Sequence, residues 1–207
     1  MFIFLLSYSI LGAGIKYIDD AFDEKTFSKI MAVAITPLLS VIGAYAMIIS
    51  PASATILLAV LCGVFIKGKI DNYAFIAGLV LVLAIVFFAG IEYMLLPLIL
   101  LATAAVLDEV GNDFIDKKKE YIDTEKITHK FAMYFLAQRW IMKIAILFLV
   151  LINVVPFYFF VAMLFFDYAY LTVNLYSQVK QESGLREELR ASTSALQKEK
   201  VVYKFGY

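Results

Sequence analysis

Apolar residues run through seven stretches of this chain, and what separates them alternates in character. The stretches are Phe2 to Lys16, Phe27 to Ser50, Pro51 to Ile66, Asn72 to Gly90 and Tyr93 to Leu107, then, after a polar connection to Lys130, Phe131 to Ile152 and Pro156 to Tyr176. Runs of this length predict helices that cross hydrocarbon. The connections near Ser50 to Ala52, Gly90 to Glu92 and Asn153 to Pro156 are tight, with Pro or Gly as helix breakers. Those at 16 to 27, 67 to 71 and 108 to 130, together with the tail from Gln178, are charged.

Composition agrees with the pattern. Of 207 residues, 63% are hydrophobic, and the mean hydropathy is +0.86, above that of ordinary soluble domains. The fold class expected is all-α, a polytopic membrane bundle of seven transmembrane helices over 1–177. Residues 178–207 form a tail. In it a short amphipathic helix is expected from Ser183, with Ser183 as cap and Leu185, Leu189 and Leu196 on one stripe. The segment from Met1 to Gly14 lacks the basic start of a signal peptide and reads as a retained first helix.

Charge fixes the orientation. Threaded as seven spans, the chain places all 18 Lys and Arg on one side, which is the cytoplasmic side by the positive-inside rule. The N-terminus is then outside and the C-terminus inside. A six-helix threading, with one span from Ile144 to Phe166, would instead put Lys180, Arg186 and Arg190 outside. The net charge of zero carries no information about partners once the charges are sorted by position.

Acidic residues gather on the same face. Asp19 and Asp23 are four apart and share a helical face if the first helix continues, so two carboxylates stacked by one turn can chelate a hard cation such as Mg²⁺. The bland alternative is a wet interfacial loop. After the fifth span Asp108, Asn112, Asp116 and Glu120 recur every four residues, with Asp113 beside them. A charged helix end neutralised by Lys117 to Lys119 explains that composition but not its spacing.

The stretch Asn112-Asp113-x-x-Asp116-x-x-x-Glu120 resembles the Asn-Asp-x-x-Asp-x-x-x-Asp signature of the UbiA superfamily of intramembrane prenyltransferases. Asp19-x-x-x-Asp23 resembles that family's second motif. Motif order, helix number and the absence of an Arg-Pro stretch after the first motif differ from the family pattern. The resemblance implies a Mg²⁺-dependent transferase acting on an isoprenoid or lipid-linked diphosphate. Asp19, Asp23, Asn112, Asp113 and Asp116 would be its catalytic set, and Asp19, Asp23, Asp113, Asp116 and Glu120 its metal ligands.

Basic partners for a diphosphate are Lys67 and Lys69, which also serve as a positive-inside anchor, and Arg139 and Lys143, placed at membrane depth in the sixth span. Asp167, at matching depth on the seventh span, is expected to pair with Arg139 or Lys143. A single cysteine, Cys62, and a single histidine, His129, exclude a disulfide framework, a His triad and a multi-His metal site built from this chain alone. No nucleic-acid footprint is present. Membrane lipid is the expected environment, and the tail offers a surface for a homo-oligomer. Two other readings remain: a divalent-cation transporter or channel with an acidic cytoplasmic mouth, and a noncatalytic subunit of a membrane complex. In labelling experiments positions 67, 119 and 180 should react from the cytoplasmic side, and a cysteine at position 92 only from outside.

Overall fold

The structure is a computed structural model that describes residues 1–66, 68, 72–118, 131, 134–136 and 138–205, with side chains described up to 115 in the fifth helix and up to Arg186 in the last. The described residues are helical throughout, with short connections. The helices are α1 (Phe2–Phe22), α2 (Lys29–Ile48), α3 (Pro51–Ile66), α4 (Tyr73–Ala89), α5 (Leu95–Lys118), α6 (Trp140–Leu151) and α7 (Phe157–Phe205).

Local chemistry sets most of the boundaries. Pro51 occupies the first position of α3, where its missing N–H costs nothing. Ser28 accepts from the Met31 N–H at the start of α2, and Asn72 from the Phe75 N–H at the start of α4. Gly90 ends α4 at φ 73°, a conformation that a side chain resists. Four helices, α1, α2, α5 and α7, contain stretches long and apolar enough to cross a membrane; α3, α4 and α6 are apolar but shorter. Phe2, Phe87, Phe88 and Leu96 lie on the outer surface with most of their area exposed, as hydrocarbon-facing side chains do. The chain is therefore a helical membrane bundle.

Six of the helices close a ring: α1 packs on α2, α2 on α3, α3 on α5, α5 on α6, α6 on α7, and α7 back on α1. α4 packs on α2, where Gly78 lets Thr36 and Ser40 approach and Ser40 donates to the Gly78 carbonyl at 3.1 Å. Lipid supplies no hydrophobic drive between helices, so close packing through small residues takes that role. α1 and α7 show it best: a Cβ on Gly12 would collide with the Phe166 carbonyl oxygen. At one end of the ring Phe4 packs on Tyr158 and Phe159, and the buried Tyr8 hydroxyl meets Ser53 at 3.2 Å. At the other, charged end, the α1–α2 connection is strapped to α7. Thr26 meets the Ser177 hydroxyl at 3.0 Å, and its carbonyl accepts from Lys180 at 2.7 Å.

Two elements depart from the sequence expectations. The last span and the tail are one continuous helix of 49 residues, and Ser183 lies inside it, donating to the Lys180 carbonyl, instead of capping a second helix. The expected sixth span is interrupted: residues 134–136 are helical, Gln138 and Arg139 form a turn, Arg139 takes a left-handed φ of 52°, and α6 begins only at Trp140. At 12 residues α6 is about 18 Å long, short of the roughly 30 Å hydrocarbon core.

Substituting Gly12 by Ala should lower stability by about 1–3 kcal/mol through overpacking against Phe166. Gly184→Ala, where an added Cβ meets open space in mid-helix, should raise it by up to about 1 kcal/mol. Thermal unfolding in detergent distinguishes the two.

Candidate functional site

The ring surrounds a cavity of about 210 Å³. Its walls are apolar, from Leu11 and Ile15 of α1 through Met47 of α2, Leu57 and Leu61 of α3, and Leu79 and Val82 of α4. Its floor is charged: Asp108 and Glu109 of α5, Arg139, and Asp167 and Tyr170 of α7. Phe4 of α1 packs at the far end against Phe159, and Lys16 lies twelve residues further along α1, so the charged layer sits about 18 Å from that end.

At this depth a bare charge costs several kcal/mol, and each cation is met. Lys16 bridges Asp20 at 2.9 Å and Asp19 at 3.2 Å. Arg139 reaches Glu109 at 3.1 Å, and Lys143 reaches Asp167 at 2.6 Å. Lys143 also donates to the Gln138 and Arg139 carbonyls in the turn before α6. Tyr170 joins the two halves of the layer, with Lys16 Nζ 5.4 Å and Arg139 Cζ 5.5 Å from its ring centroid.

The remaining carboxylate explains the helix break. Asp108 is 2% exposed, and its two oxygens accept from the backbone N–H groups of Ile141 and Met142 at 3.0 and 2.7 Å. It caps α6 from a neighbouring helix, placing a negative charge at the positive end of the helix dipole. Irregular backbone at membrane depth is tolerated where protein or a cavity receives it, and here both do.

The sequence-derived site residues fare differently. Asp19 is held by Lys16, and Asp23 is exposed at the end of α1. Asp20, on which the i,i+4 reading of Asp19 and Asp23 placed no weight, is the inward one. It is 1% exposed, with one oxygen on Lys16 and the other without a hydrogen-bond partner among the described residues. Its signal was the i,i+4 spacing from Lys16. Asn112 and Asp113 lie half-buried on α5. Lys67, Lys69 and Glu120 lie outside the described residues, as does the Asp116 side chain. Arg139 and Lys143 do line or adjoin the floor, but as members of ion pairs. The expected Asp167 pair is present, with Lys143 as its partner. Glu109, the Arg139 partner, carried no signal beyond that cation's need for a carboxylate.

α1 and α5, which carry the two acidic motifs, are not neighbours in the ring, and Tyr170 of α7 stands between the cations they hold. Among the described residues no group of three or more His, Cys, Asp or Glu side chains comes together to hold a metal ion. Comparison with family models, curated proteins and solved structures found no match.

Asp167→Asn should cost about 3–5 kcal/mol by leaving Lys143 buried and unpaired, whereas Asp167→Leu combined with Lys143→Met should recover most of that loss. Unfolding of both variants in detergent checks the pair.

Proposed function

We propose that the protein is an intramembrane enzyme acting on an isoprenoid diphosphate, with prenyl transfer as the reaction class and the charged end facing the cytoplasm. One observation carries the reading: an apolar chamber inside a membrane bundle ends on a charged floor, the shape that a greasy chain with a polar head requires. A cavity of about 150 Å³ admits benzene, so about 210 Å³ takes roughly eight or nine carbons, on the order of two isoprene units. A longer chain would leave between α3 and α4, which line the chamber while α4 rests on α2.

Asp19, Asp23, Asp113 and Asp116 offer oxygen alone, the donor type that a hard cation takes. The structure does not bring the α1 and α5 sets together, and Lys16 holds Asp19, so the α5 pair Asp113 and Asp116, with Glu120 adjoining, would hold Mg²⁺, which would supply neutralisation of the diphosphate leaving group. The chain's own part is then defined. The walls from Leu57 to Val82 exclude water and orient the chain, Tyr170 presents a ring face at the floor, and Arg139 offers a planar donor fork to phosphate oxygens. A cation pathway is less well supported. Apart from Thr36 and Ser40, the residues lining the chamber beyond its floor are apolar, which gives an ion nothing to exchange its hydration for.

The full chain in detergent should bind geranyl diphosphate only with Mg²⁺, and chelation by EDTA or Asp113→Asn should weaken binding about tenfold or more. Calorimetry measures this. Divalent-cation flux in liposomes without isoprenoid binding would replace the enzyme with a transporter.

A further inference from the structure

We propose that Glu109 is an internal stand-in for the anionic end of the ligand, occupying Arg139 until a phosphate group displaces it. This rests on the isoprenoid diphosphate reading above. The three cations of the charged layer are not equivalent. Lys143 is 5% exposed and spends its donors on Asp167 and two backbone carbonyls, which suits a structural role. Lys16, 13% exposed, is clamped between two carboxylates of its own helix.

Arg139 differs on each count. Its side chain is 32% exposed, it lines the chamber, and among the described residues its planar fork of five donors makes one ion pair, with Glu109 at 3.1 Å. The Tyr170 ring at 5.5 Å and the left-handed backbone of the helix break hold the guanidinium at the floor. A phosphate can take that fork through two parallel hydrogen bonds. Asp113 lies four residues on from Glu109, along the same face of α5. Until a phosphate group arrives, Glu109 keeps the arginine neutralised.

The test uses the full chain in detergent with Mg²⁺ and non-hydrolysable geranyl thiolodiphosphate, with geraniol as the uncharged control. Glu109→Gln should melt at lower temperature without ligand, yet bind the diphosphate about tenfold tighter, the reverse of what loss of a purely structural pair gives. Arg139→Gln should bind about tenfold weaker or worse, with Arg139→Lys between the two, and geraniol binding should not follow this order. If Glu109→Gln does not fold, Glu109→Asp, which withdraws the carboxylate by one methylene, should still tighten binding. Diphosphate affinity unchanged or weakened in the folded Glu109 variant, with the wild type binding normally, overturns the stand-in role alone. No diphosphate binding by the wild type overturns this inference together with the function on which it rests.

Discussion

Asp108 accepting two backbone N–H groups of α6 is the contact on which the rest of the inner layer depends. It caps α6 where that helix starts at Trp140, which leaves Arg139 at the chamber and sets Lys143 one turn further on, within reach of Asp167. Both Asp108 oxygens turn to the start of α6, which sets Asp108 apart from the acidic face suggested by its spacing from Asn112 and Asp116. The cap costs desolvation of a full charge, offset by two charge-assisted hydrogen bonds and the helix dipole.

Matched charge and an unfilled chamber are two sides of one arrangement. Buried ion pairs are weak sources of stability, since apolar side chains of similar volume often serve as well. Here Glu109, Arg139 and Asp167 lie at the floor of a cavity, while Tyr8, Ser53 and Phe159 pack together nearer the other end of the bundle. The glycine contacts of α1 and α4 bring the outer wall close, while the middle stays open.

What the sequence revealed follows from whether the cause is local. Pro51, Asn72, Gly90 and Pro156 mark helix boundaries because their own backbone chemistry makes the break, and the starts of α3 and α4 fell where they predict. The Lys143–Asp167 pair was legible because depth along antiparallel helices can be counted at a fixed rise. The break at Arg139 was not, since residues 134–142 read as good helix and the capping carboxylate comes from position 108. Asp20 and Glu109 were passed over for a related reason: a four-residue spacing names residues that share a face without saying which face turns inward.

The account depends on the chamber being filled by a hydrocarbon chain with its charged end at the Arg139 floor. A structure of the full chain with Mn²⁺ and geranyl thiolodiphosphate tests this directly. It should show the tail between Leu57, Leu61 and Val82, the phosphates at Arg139, and Mn²⁺ beside Asp113. Mn²⁺ continuing through the bundle beyond the floor, or a chamber filled by repacked side chains with the ligand elsewhere, would contradict it.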